Sequence, residues 1–185
     1  NTNDLKGKVL RIHPEPDGTY TIPDGNLFPV GTEKTRPEIY AMGCRNPYRI
    51  AVNPRTSVLY WGEIGPDAGK DSIQGPRGYD EFNQAKKPGN FGWPYFVGNN
   101  QAYYKWDFAT NTAGERFDPK APVNKSPNNT GISDLPPALS AMIWYPYAAS
   151  EEFPELGQGG RSAMAGEFYT YDNFSSSKNK FPEYY

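Results

Sequence analysis

Short runs of alternating apolar and polar residues, separated by clusters of turn-formers, recur along this chain and predict β-strands. Val9-Leu10-Arg11-Ile12-His13 alternates after Gly7-Lys8. Asp17-Gly18 then supplies a turn, and Thr19 to Ile22 returns as the partner strand. Residues 23–37 read as loop. Ile39 to Met42 form the next strand, and Tyr48 to Val52 pairs with Val58 to Trp61 through Asn53-Pro54-Arg55-Thr56. The glycine-rich stretch 62–92 holds one strand, Glu81 to Gln84. Residues 99–135, polar and rich in proline and asparagine, read as a loop inserted within the domain. Ala138 to Tyr145 and Glu167 to Tyr171 are the last strands. No stretch carries a helix of ordinary length, although the aromatics of 99–113 allow a short helical turn.

Composition narrows the class. The 185 residues are only 36% apolar and include 19 glycines and 19 prolines, with a mean hydropathy of -0.80. So many turn-formers suggest loops or disorder, but aromatics at 15% argue against disorder. Short strands joined by ordered, aromatic-packed loops satisfy both facts, which makes the chain all-β. A net charge of -2 and the lack of any basic run with interleaved aromatics exclude generic nucleic-acid binding. No apolar stretch approaches the length of a membrane span. The chain opens at Asn1 without a signal peptide, so a mature, trimmed or partial chain is expected.

Cys44 is the single cysteine, which rules out an internal disulfide and a cysteine-rich zinc site. Beside Met42 and Gly43 it reads as a small buried hydrophobe. Two sequons, Asn128-Asn129-Thr130 and Asn173-Phe174-Ser175, matter only in a eukaryotic secretory context.

Candidate chemistry concentrates between Arg36 and Pro94. Arg45-Asn46-Pro47 offers a guanidinium fork that can hold a carboxylate or quinone oxygen with two parallel bonds. The same pair could equally clamp loop carbonyls and cap a turn. Gly65-Pro66 ends the strand that follows Val58 and can turn two carbonyls one way, toward a hard cation or simply through a turn. A second pair, Gly75-Pro76, lies beyond the added segment 67–74; Gly65-Pro66 is favoured because it terminates the strand directly. Asp80-Glu81 offers two carboxylates, with Asp67 and Asp71 nearby, and on the residues alone reads as a solvated acidic loop. Asn90-Phe91-Gly92-Trp93-Pro94 reads mainly as packing, with Trp93, Tyr95 and Phe96 as alternative sugar-stacking faces.

In order and spacing, Arg-Asn-Pro, Glu-x-Gly-Pro, Asp-Glu-x-Asn and Asn-Phe-Gly-Trp-Pro resemble the soluble glucose/sorbosone dehydrogenase family. That family comprises quinoprotein β-propellers that oxidise sugars with pyrroloquinoline quinone (PQQ). The resemblance implies a six-bladed propeller, of which residues 1–185 form a partial domain with 99–135 as an insertion. At about 45 residues per blade, the chain would supply roughly three to four blades. It further implies that Arg45 and Asn46 contact the quinone. Gly65 and Pro66 would hold the calcium that also binds the cofactor, and Glu81 would ligate a structural calcium. The small-residue loop from Gly159 to Gly166 would bring Arg161 or Ser162 to the quinone or substrate.

The family's reaction needs a histidine general base. His13, the only histidine, falls at a structural position of the motif Gly-Lys-Val-Leu-Arg-Ile-His-Pro, so the base belongs to an earlier segment and this chain alone lacks it. The resemblance also implies a sugar substrate, a cytochrome or other electron acceptor, and a periplasmic or secreted location. The run from Phe181 to Tyr185 reads as the start of a further strand, and the remainder of the propeller is the expected partner. The alternative is a non-catalytic carbohydrate- or protein-binding propeller of the same ancestry. A calcium-stabilised structural segment is a third reading.

Overall fold

The structure is a computed structural model and describes residues 1–171 and 176–182. Its strands are β1 (Lys8–Leu10), β2 (His13–Pro14), β3 (Tyr20–Thr21), β4 (Ile39–Met42), β5 (Pro47–Val52), β6 (Leu59–Glu63) and β7 (Asp80–Ala85). They continue with β8 (Gly89–Asn90), β9 (Phe96–Val97), β10 (Gln101–Ala102), β11 (Tyr104–Asp107), β12 (Thr112–Arg116) and β13 (Ile143–Tyr145). The protein is all-β. Among the described residues the one helical turn is a 3-10 turn at Pro154–Leu156, and no helix is long and apolar enough to cross a membrane.

The centre is a four-stranded antiparallel sheet ordered β13-β7-β6-β5, the make-up of a propeller blade. The predicted hairpin between β5 and β6 is present, and its turn is tightened by the Asn53 side chain accepting from the Arg55 and Thr56 amides. On β6, Leu59 and Trp61 face the core and Trp61 is fully buried. Leu59, Trp61 and Glu63 lie opposite Ala85, Asn83 and Glu81 of β7. Beside this sheet, β4 pairs antiparallel with β1 and parallel with β8. The core between the sheets gathers Val9, Ala41, Cys44, Leu59, Trp61, Ala85 and Phe91, with Phe91 edge-on to Trp61 at 4.6 Å. Cys44 is buried there, as its neighbours predicted. A second cluster joins Phe28, Ile39, Met42 and Leu135.

Three expectations need correcting. The strand predicted from Val9 to His13 divides: β1 shifts register at Val9/Leu10, and β2 leaves to pair with β3. Leu10 and Ile12 are both exposed, so the alternation there does not follow one buried face. The stretch 99–135 is not all loop, and 99–113 makes no helical turn. β10 pairs with β9, and β11 pairs with β12. In that hairpin Tyr104 lies opposite Arg116, Trp106 opposite Ala113 and Asp107 opposite Thr112, with the β-formers Tyr104, Trp106 and Thr112 favouring its strands. Asp107 caps its turn at the Ala109 amide, and Asn111 takes a left-handed conformation (φ 55) that asparagine tolerates.

Glu167 to Tyr171 forms no strand. Instead Phe168 packs edge-on against Tyr60, and the Tyr171 carbonyl accepts from Arg55. The sequon at Asn173, and Glu183 to Tyr185 of the predicted terminal strand, lie outside the described residues.

Candidate functional site

The chain leaves β4 through Gly43, whose φ of 76 suits glycine. A Cβ there would come within 2.5 Å of Asn90 Oδ1 and of the Gly92 amide. This close passage seats Arg45 and Asn46 on a fixed loop, with both side chains exposed. The Arg45 amide donates to Glu63 Oε1 at 2.8 Å, and the Asn46 amide donates to the same oxygen. Glu63 Oε2 accepts from Trp61 Nε1 at 3.1 Å. Arg45 Nη1 then donates to the Ile64 carbonyl at 2.8 Å, and its guanidinium lies 5.8 Å from the Trp93 ring centre.

Glu63 is thus the anchor of the Arg-Asn loop, a role that reading the motifs alone missed. Its signal was a carboxylate on the buried face of an alternating strand, in line with Leu59 and Trp61. Burial raises its pKa, while the amides of Asn46 and Arg45 and the indole of Trp61 pull the other way. The carboxylate satisfies otherwise costly donors and holds the loop from below.

Arg45 also borders an open cleft of about 520 Å³, which includes Lys6, Lys8, Asn90, Trp93 and Asn129 in its lining. The Arg45 guanidinium and the Trp93 aromatic face thus stand together at the cleft. Such a set can grip a planar anion through charge-assisted bonds and stacking. The exposed guanidinium of Arg45 has the chemistry to meet a carboxylate or quinone oxygen. Trp93 faces this site but also packs against Tyr103, whereas Phe96 is buried and offers no free stacking face.

The residues predicted for calcium sit otherwise. Gly65 donates its amide to Asp80 Oδ1 at 3.0 Å. The Pro66 carbonyl accepts from the Ala68 amide at 2.9 Å and from Arg161 Nη2 at 2.6 Å. A Cβ on Gly78 would lie 1.7 Å from that same oxygen, so backbone covers it as well. A carbonyl with both lone pairs engaged, one by a guanidinium, does not fit a calcium ligand. At the alternative pair, the Gly75 carbonyl accepts from the Ser72 amide at 2.9 Å.

Glu81 is buried. Its Oε1 accepts from the Gly98 amide at 2.6 Å and its Oε2 from Asn83 Nδ2 at 3.0 Å. Burial is the main cause that pushes its pKa up to about 7, with smaller contributions from the charges of Glu63 and Asp80. The neighbouring Asn83 Oδ1 has no partner. Calcium takes six to eight oxygens. Among the described residues no group of three acidic, histidine or cysteine side chains converges on a metal position. As placed, both Glu81 carboxylate oxygens already accept from N–H donors.

Arg161 departs from the rim position that the resemblance implied. Its side chain is only 2% exposed and forms an ion pair with Asp80 at 3.6 Å. Ser162 is exposed on the loop beside it. His13 is exposed and paired with Thr21 in β2, in keeping with a strand position rather than a catalytic one.

Against this geometry, comparison with known proteins defines the class. Residues 1–156 match the family described as Glucose / Sorbosone dehydrogenase, and the chain belongs to that family. Among curated relatives, aldose sugar dehydrogenase YliI of Escherichia coli (strain K12) is 37% identical over 90 residues, covering 49% of this chain and 20% of that protein. Quinoprotein glucose dehydrogenase B of Acinetobacter calcoaceticus is 32% identical over 142 residues, covering 71% of this chain and 26% of that protein. The solved apo-form structure of the soluble aldose sugar dehydrogenase of Escherichia coli aligns with a TM-score of 0.44 at 23% identity, covering 84% of this chain and 37% of that one. The chain therefore spans about a quarter or less of these curated relatives' length.

Proposed function

We propose that the protein containing this chain oxidises a sugar with PQQ as its electron acceptor, and that Arg45 and Asn46 anchor the quinone. The observation that carries this reading is the Glu63-held loop, which sets the Arg45 guanidinium beside Trp93 at the edge of a cleft and leaves the Asn46 side chain exposed next to it in sequence. Family membership, and relatives that are an aldose sugar dehydrogenase and a quinoprotein glucose dehydrogenase, support it.

When bound, the quinone supplies the oxidising power that removes two electrons from the sugar. This chain contributes orientation. Arg45 holds its own fork flat through the Ile64 carbonyl and the Trp93 ring, leaving its remaining N–H groups for a carboxylate or quinone oxygen. Asn46 adds an amide on the same loop. The resemblance assigns the histidine proton acceptor to a segment other than His13, which stands at a structural position of its motif. Electrons would pass to a cytochrome or another acceptor, in a periplasmic or secreted setting. Calcium dependence is part of what the family resemblance implies; of its proposed ligands the Pro66 carbonyl already accepts from the Ala68 amide and from Arg161.

The test is PQQ titration of the full-length protein, followed by dye reduction with a panel of aldoses. Binding and turnover, both lost in Arg45→Ala, support the proposal. Binding without turnover on any aldose points to a binding propeller of the same ancestry. Absence of quinone binding overturns the proposal.

A further inference from the structure

We propose that Arg161 is a built-in cation for the Gly65–Pro66 turn, occupying the position at which a divalent ion would otherwise meet the Pro66 carbonyl and the Asp80 carboxylate. Every group around its guanidinium is of the kind that binds cations. Nη2 donates to the Pro66 carbonyl at 2.6 Å, and Nη1 donates to the Tyr145 carbonyl at 3.5 Å. Nε lies 3.6 Å from Asp80 Oδ1, and the Tyr147 ring covers the guanidinium carbon at 4.0 Å. Tyr147 is itself held through its hydroxyl, which donates to Asp67 Oδ1 at 2.7 Å, on the segment immediately after the turn.

Asp80 completes the arrangement. Its Oδ1 accepts from the Gly65 amide at 3.0 Å and its Oδ2 from the Ala163 amide at 2.9 Å. One carboxylate and one guanidinium thus tie the end of β6, the start of β7, the end of β13 and the segment around Ala163 into a single junction. The side chains of Arg161 and Asp80 are 2% and 1% exposed, so water does not screen the pair. A spherical ion would need six to eight oxygens. Two carbonyls accept from the guanidinium, and Asp80 pairs with it by charge at 3.6 Å while Nε makes no hydrogen bond. An aromatic face covers it, and this set suits a flat cation rather than an ion's shell of oxygens. Admission of a divalent ion would place two cations against one carbonyl whose second lone pair already serves the Ala68 amide.

The function of this cation is positional. The turn it closes begins directly after Ile64, whose carbonyl holds the Arg45 guanidinium, and after Glu63, which holds the Arg45 and Asn46 amides. Arg161 therefore fixes the exposed anchor from the far side of β6 without touching a ligand. Three glycines make the fit: a Cβ on Gly62 would meet the Ala163 carbonyl at 2.3 Å, on Gly65 the Tyr79 carbonyl at 1.8 Å, and on Gly78 the Pro66 carbonyl at 1.7 Å.

The experiment is amide hydrogen exchange by mass spectrometry on the full-length protein, read at peptides carrying Gly65, Ala68 and Ala163. In the wild type, protection there is expected to be the same in calcium and in EDTA. Arg161→Ala is expected to lose that protection and to regain it with methylguanidinium, which replaces the missing cation; a purely steric role gives no such rescue. Should Arg161→Ala fail to fold, Arg161→Lys serves, with partial protection through the Pro66 carbonyl alone. Loss of wild-type protection in EDTA with recovery in calcium overturns the proposal, as does unchanged protection in Arg161→Ala.

Discussion

Replacing Glu81 by glutamine gives a sharp test of the buried face of the central sheet. The unfolded chain releases the Glu81 proton near the ordinary 4.5, whereas the folded protein releases it near about 7. Between these values the folded state binds more protons than the unfolded state, so stability falls as pH rises through the window. The displacement corresponds to roughly 3 kcal/mol, present in full below the lower value and lost above the upper one.

Glutamine cannot ionise. It keeps an oxygen for the Gly98 amide, and its own amide can donate to the unpartnered Asn83 Oδ1 once the Asn83 side chain turns. Urea denaturation of wild type and Glu81→Gln across pH 4.5 to 8 should therefore give two curves that separate with rising pH, the variant more stable by about 3 kcal/mol at the alkaline end. Added calcium should leave the separation in place, because N–H donors already occupy both carboxylate oxygens. Parallel curves, or a wild type that gains on the variant as pH rises, would refute the reasoning.

Two further substitutions probe the Arg-Asn loop. Glu63→Ala removes the acceptor for the Arg45 and Asn46 amides and leaves Trp61 Nε1 unpaired in the core, and should cost about 3 kcal/mol by urea denaturation. Glu63→Gln keeps one acceptor oxygen for the two loop amides but sets its NH2 against Trp61 Nε1, and should recover only part of that loss. Gly43→Ala meets both a left-handed backbone and the Asn90 and Gly92 atoms 2.5 Å from its new methyl, and should destabilise by at least about 2 kcal/mol.

Local pattern was enough wherever an element is held by its own neighbours. Ile39 to Met42 forms a strand at the predicted bounds, and the β5–β6 hairpin follows from alternation on either side of an Asn-Pro turn. The buried Cys44 followed from flanking residues in the same way. Arg45 and Asn46 stood out because their chemistry lies in one dipeptide. Glu63 and Arg161 did not, because each acts on groups far away in sequence. Glu63 reaches back 17 and 18 residues to two amides, while Arg161 meets Pro66 across 95. Nothing in the loop Gly159 to Gly166 distinguishes an arginine that faces a ligand from one that faces a buried aspartate. The hairpin β11–β12 was obscured for another reason. β12 is exposed along its whole length and carries no apolar alternation, and the alternation of Tyr104-Lys105-Trp106-Asp107 in β11 spans only four residues, none of them buried.

The outer strand of the central sheet has a practical consequence. β5 is an edge, and Tyr48, Ile50 and Val52 are 43%, 53% and 55% exposed along it. Ile50 and Val52 also line a groove with Val9, Leu10, Tyr40 and Leu59. An apolar edge with open backbone groups is a template for pairing with another strand, and only the register shift between Tyr48 and Ile50 interrupts it. Produced as an isolated segment, this chain would self-associate through β5 and mask its own binding behaviour. A lysine at position 50 would be the first change to make when handling it alone.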